Sequence, residues 1–88
     1  MKVEYRESFL RDIQKIKDKG ILDALKKIIE RIEIAESLAD ISNVKKMHGS
    51  RGYFRIRLGD HRIGLKLESE TVQFTRFLHR KEIYRFFP

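Results

Sequence analysis

The stretch from Tyr53 to Leu67, YFRIRLGDHRIGLKL, leaves this chain little freedom: two strand-like runs flank Gly59 and Asp60, and cations recur at alternate positions. Successive side chains of a strand point to opposite faces, so Phe54, Ile56 and Leu58 share one face while Arg55 and Arg57 share the other. A two-residue loop at Gly59-Asp60 sets the register, pairing Leu58 with His61, Arg57 with Arg62, Arg55 with Gly64 and Tyr53 with Lys66. One face of the hairpin is then dry and the other cationic. Like charges directly opposite one another destabilise a sheet, so folding alone gives no reason for Arg57 to face Arg62. A bound anion, phosphate above all, supplies one.

The 88 residues make one domain, spanning 1–88, large enough for a single core and too small for two. A hydrophobic fraction of 41% in periodic segments outweighs the 38% of charged residues and indicates a folded chain. With no cysteine, disulfides and thiolate metal sites are excluded, and His48, His61 and His79 fall in no short metal-ligand spacing. Neither a metal nor another cofactor is expected. No apolar run reaches the roughly 18 residues of a membrane span. Met1 is followed by Lys2, Glu4 and Arg6, unlike a signal peptide, so a cytoplasmic protein without a membrane partner is expected.

The formal net charge of +7 is unevenly spread. Residues 1–40 hold nine Lys/Arg and nine Asp/Glu, whereas residues 41–88 hold eleven and four, so the whole excess lies in the second half. A balanced half and a basic half read as scaffold and site. The asymmetry points to a polyanionic partner, nucleic acid rather than a membrane surface, because no long helix is basic on one side and aromatic on the other.

Lys2 to Tyr5 alternates polar and apolar residues and reads as a first strand with Val3 and Tyr5 inward. From Ser8 the period becomes helical: Phe9, Leu10, Ile13 and Ile16 share a face up to Lys19, with Gly20 as the expected stop. A second helix from about Ile21 carries Ile21, Leu25, Ile28, Ile29 and Ile32 as its apolar stripe, with Lys26, Lys27, Glu30 and Glu33 on its wet side. The two helices are expected to form a hairpin. A short strand over Asn43–His48, a turn over Gly49–Gly52, the cationic hairpin, a last strand from Thr71 to His79 and a turn of helix over Lys81–Phe87 complete the chain. The fold class is α+β: a mostly antiparallel sheet in the order β-α-α-β-β-β-β, one face covered by the N-terminal helical hairpin and the other at least partly open. Arg76 falls on the strand face of Phe74 and Leu78, which either a bulge or a salt bridge explains.

Four features come in a fixed order: the amphipathic helical hairpin, Val44-Lys-Lys-Met-His-Gly49, Gly52-Tyr-Phe-Arg-Ile-Arg-Leu-Gly-Asp-His-Arg-Ile63 and the closing His79-Arg-Lys-Glu-Ile-Tyr-Arg85. Together they resemble the RelE/ParE superfamily of toxins from bacterial and archaeal toxin–antitoxin systems, nearly end to end. For RelE-like members the resemblance implies a ribosome-dependent endoribonuclease that cuts messenger RNA in the ribosomal A site without a metal. The RNA 2′-hydroxyl attacks its own 3′ phosphate, leaving a cyclic phosphate and a 5′-hydroxyl. It also implies a cognate antitoxin protein as partner, besides ribosome and mRNA. By motif position, Arg55, Arg57 and Arg62 match the family's basic strand cluster, and His79 and Tyr84 its C-terminal pair, so these five are the expected catalytic residues. Lys45, Lys46, Lys66, Arg80, Lys81 and Arg85 are the expected RNA contacts.

The chemistry of the residues agrees with those roles. In-line attack at phosphorus builds negative charge on the non-bridging oxygens, and guanidinium forks stabilise it better than mobile ammonium groups do. Arginine is never deprotonated near neutral pH, which leaves His79 as the best acid or base in either direction. Tyr84 suits stacking on a splayed base. Many relatives carry lysine at the positions of Arg55 and Arg57, so the proton acceptor stays open between His79, Lys66 and Lys46. His61 reads as a turn neighbour, His48 as a loop residue, and Phe86 and Phe87 as core or partner contacts. Two other functions share these features: a ParE-like toxin directed at DNA gyrase, and a non-catalytic basic RNA-binding module.

Overall fold

The computed structural model describes residues 1–49 and 51–88, so Ser50 of the expected turn lies outside the described residues. Along the chain run β1 (Lys2–Tyr5), α1 (Glu7–Gln14), α2 (Lys19–Ile34), a 3-10 turn (Leu38–Asp40), β2 (Val44–Lys46), β3 (Tyr53–Leu58), β4 (His61–Glu68), β5 (Thr71–His79) and α3 (Ile83–Phe86). The five strands form one sheet in the order β1-β5-β4-β3-β2. Every neighbouring pair is antiparallel except β1 and β5, which run parallel. The class is α+β, as expected. No helix among the described residues is long and apolar enough to cross a membrane.

The β3–β4 hairpin has the register read from its sequence, including Arg57 opposite Arg62 and Arg55 opposite Gly64. Gly59 takes a positive φ of 58°, which glycine adopts without strain and which fits a two-residue loop to the twist of its strands.

The helix boundaries differ from the sequence reading. Helix α1 ends at Gln14, and α2 begins at Lys19 rather than after a stop at Gly20. Asp18 decides this: its carboxylate accepts the N–H groups of Gly20 at 2.8 Å and Ile21 at 3.3 Å, capping α2. Gly20 therefore lies in the first turn of α2. Helix α1 packs on β5, and α2 lies over β1 and β3. Their buried residues Phe9, Leu25 and Ile32 join Ile56, Ile63, Leu65, Val72, Phe74 and Phe77 of the sheet in the main core. Each such side chain contributes about 1.5–3 kcal/mol through burial. Val3 is half-buried as expected, whereas Tyr5 stays 44% exposed while its ring packs on Phe9 and Phe74.

Strand β5 carries both features offered to explain Arg76. Gly64 pairs with Arg76 but Leu65 pairs with Phe74, so Thr75 is an extra, bulged residue whose hydroxyl donates to the Gly64 carbonyl at 2.9 Å. The bulge resets the alternation. Val72, Phe74 and Phe77 all reach the main core, while Arg76 joins Leu78 and not Phe74. Arg76 then pairs with Asp12 of α1 through Nε at 2.8 Å and Nη2 at 3.1 Å, and the Asp12 carboxylate also accepts the Phe77 N–H at 2.9 Å. Beyond Tyr5, where β1 has ended, α1 thus covers the free edge of β5, since Ser8 also donates to the Thr75 carbonyl.

The opposite sheet face is partly covered by α3. Met47, Ile83 and Phe87 are buried there in a second small cluster with Tyr53 and Leu78. Gly64 permits this arrangement, because a Cβ at that position would stand 2.8 Å from Cδ1 and Cε1 of Phe87.

Candidate nucleic-acid interface

Arg55 and Arg57 of β3 and Arg62 of β4 stand on the sheet face away from α1 and α2, since their neighbours Phe54, Ile56 and Ile63 point into the main core. They line a depression of about 320 Å³ together with Asn43, Val44 and Lys45. None of these residues is acidic. Lys45 stands directly opposite Arg55 on β2. Arg62 is held in place, its Nη1 donating to the carbonyls of Gly59 at 2.8 Å and His61 at 2.9 Å. Partial burial, then the charges of Arg55 and Arg57, pull the Arg62 pKa below its ordinary value, although a guanidinium stays protonated at physiological pH. The cluster is thus a cationic, self-repelling set of donors in which Arg62 is anchored to the turn.

Tyr84 of α3 lies under this cluster, with Arg55 Cζ 5.8 Å from its ring centroid. Tyr84 remains 60% exposed, which leaves surface for a second stacking partner. Arg80 is tethered to the β3–β4 turn: its backbone N–H donates to the Asp60 carbonyl at 2.8 Å, and its Nε lies 3.9 Å from Asp60 Oδ1. Arg80 also stands close enough to Arg62 to disfavour the charged form there. Lys66 sits over the Tyr53 ring at 5.4 Å on the same sheet face. Lys81 and Arg85 are exposed, and Arg85 is engaged with Glu82 and Phe86.

Two of the expected site residues fall elsewhere. Lys46 pairs with Phe54 and therefore shares the other face of the sheet edge. His79 pairs with His61 at the end of β5, on the core-side face that Phe77 occupies. The His61 ring stacks on Phe77 at 5.0 Å and meets the His79 ring at 5.9 Å. The bulge at Thr75 is what places His79 there. His61 directly follows the Gly59-Asp60 turn as the first residue of β4, and burial and then the charge of His79 lower its pKa. His48 is an exposed loop residue.

Asn43 was not anticipated. It lines the depression with a φ of 65°, and its carbonyl accepts the Arg57 N–H at 3.2 Å. Its signal is an asparagine just before a strand, since asparagine tolerates the left-handed region.

A five-stranded sheet with two helices on one face is a fold shared with known toxins. The toxin in the RelB–RelE antitoxin–toxin complex from Methanococcus jannaschii superposes with a TM-score of 0.84 at 35% identity, over 97% of this chain and 99% of that one. The archaeal RelE–RelB complex from Pyrococcus horikoshii (TM-score 0.74, 17% identity, 93% and 97% covered) shares the fold. Toxin RelE3 of Methanocaldococcus jannaschii is 39% identical over the full length of both chains. The family model described as the ParE toxin of the type II toxin–antitoxin system parDE matches residues 3–84. The chain therefore belongs to the ParE toxin family of type II toxin–antitoxin systems, within the RelE/ParE superfamily. It is a toxin of the RelE type.

Proposed function

We propose that this toxin is an endoribonuclease that cuts messenger RNA on the ribosome, without a metal, by activating the RNA 2′-hydroxyl. Attack forms the O2′–P bond, the P–O5′ bond breaks, and the products carry a 2′,3′-cyclic phosphate and a 5′-hydroxyl. The observation that carries the reading is Arg57 facing Arg62 beside Arg55 in a depression with no acidic lining. Such a cluster costs stability in the free protein and is relieved by a phosphate whose charge grows in the transition state. Tyr84 under Arg55 offers a platform for an unstacked base. The solved relatives crystallised as antitoxin–toxin complexes support a cognate antitoxin for this chain too, an acidic or amphipathic segment laid over the helices or the cationic face.

The test is primer extension on a defined messenger RNA with and without programmed ribosomes, with EDTA at a level that leaves ribosomes intact. Cuts at A-site codons only with ribosomes are expected. Arg57→Gln should lower the rate at least tenfold while the urea midpoint holds or rises, because it removes a like-charge pair. Intact RNA with folded protein would refute the reading and favour the alternative of a ParE-like, gyrase-directed toxin, to be read as inhibition of DNA supercoiling.

A further inference from the structure

The three residues after the last strand, Arg80, Lys81 and Glu82, are each held through the backbone N–H. The His79 carbonyl accepts the Glu82 N–H at 2.8 Å, closing a turn over residues 79–82. The His79 Nδ1 accepts the Lys81 N–H at 3.1 Å, and the Asp60 carbonyl accepts the Arg80 N–H at 2.8 Å. An imidazole in this position does what an Asn or Asp side chain does at the first position of a turn, bonding the backbone two residues on. The bond requires an unprotonated Nδ1, which leaves only Nε2 to carry the hydrogen. That nitrogen belongs to a ring on the sheet face opposite Arg57 and Arg62, packed against His61. Arg80, one residue along, is turned toward Asp60 at the near end of the arginine cluster.

We infer that His79 is a positioning residue: its Nδ1 fixes the 79–82 turn so that Arg80 is presented beside Arg62 as a further hydrogen-bond donor to phosphate. The inference rests on the proposed RNA cleavage and assigns no proton to His79. Three substitutions separate it from a proton-transfer role. His79→Asn keeps an acceptor where Nδ1 stands and cannot exchange a proton near neutral pH. His79→Gln displaces that acceptor, and His79→Ala removes it.

Ribosomal cleavage is expected to stay within about threefold of wild type for His79→Asn and to fall about tenfold for His79→Ala and His79→Gln, the usual worth of one hydrogen bond. In an Arg80→Ala background, His79→Ala should add nothing, because both changes remove the same donor. A protein weakened only in stability would show His79 effects independent of Arg80. Equal losses of about 10²–10⁴-fold in all three His79 variants, the size of a missing acid or base, would overturn the inference. If the wild type cuts no RNA, the proposed activity fails instead, and affinity for a short single-stranded RNA at low salt decides about His79. There His79→Ala should weaken binding as much as Arg80→Ala while His79→Asn does not; equal binding by wild type and His79→Ala would refute the positioning role.

Discussion

Replacing Gly64 by alanine tests how the C-terminal segment is held on the sheet. The added Cβ would lie 2.8 Å from Cδ1 and Cε1 of Phe87 and 2.9 Å from its Cγ. Carbon atoms prefer about 3.5–4.0 Å, so the ring must retreat by roughly 1 Å or leave. Phe87 is only 4% exposed and packs edge-on against Tyr53 at 5.6 Å, with Met47 and Ile83 around it, so the retreat has no free space. A strained shift costs about 1–3 kcal/mol. Full expulsion costs about 3–5 kcal/mol, the figure for truncating a buried Phe. Alanine regains about 0.5–1 kcal/mol over glycine inside a strand. The expected net loss is about 2 kcal/mol, or roughly 8–16 °C in Tm for a domain of this size. Urea denaturation followed by circular dichroism measures it, and the decisive comparison is a double-mutant cycle. In a Phe87→Ala background, Gly64→Ala should be neutral or slightly stabilising. A cost that persists undiminished there, or no cost in the wild type, refutes the argument. Because the same segment carries Tyr84 under Arg55, Gly64→Ala should also slow the proposed RNA cleavage at temperatures where the protein is still folded.

Asp12→Ala should destabilise by about 3 kcal/mol in the same urea assay, because it leaves Arg76 unpaired and the buried Phe77 N–H without an acceptor. Asp12→Asn should recover part of that loss, since an amide oxygen still accepts from Phe77; equal losses would show that the bond to Phe77 contributes nothing. His61, whose folded pKa lies below its ordinary 6.5 because of burial and the charge of His79, makes stability depend on pH. The unfolded chain takes up that proton first as pH falls, so the contribution is complete above 6.5 and is lost as pH drops through the folded pKa. Tm should therefore fall between pH 7.5 and 5.5, and His61→Gln should flatten that dependence; an unchanged slope would place the effect elsewhere.

The cationic hairpin was legible in the sequence because its information is local. Strand alternation and a Gly59-Asp60 loop determine register, and with it the meeting of Arg55, Arg57 and Arg62, without reference to the rest of the chain. Charge asymmetry and the helical stripe of Leu25 and Ile32 are local in the same sense. The start of α2 was legible in principle, since Asp18 is a standard capping residue, but the apolar period running through Ile16 concealed it.

What the tertiary structure alone decided depends on residues far apart in the chain. The bulge at Thr75 rests on Gly64 across the sheet and on Ser8 and Asp12 of α1, and without it simple alternation puts Arg76 with Phe74. One extra residue moves every later side chain to the other face, which is why His79 lies apart from the arginines. The parallel pairing of β1 with β5 brings residues 2–5 against 71–74. The return of α3 needed a seat for Phe87 that only a glycine at position 64 leaves open. Periodicity determines which residues can share a face within one element, but only packing between elements decides where that face lies and which distant groups complete the site.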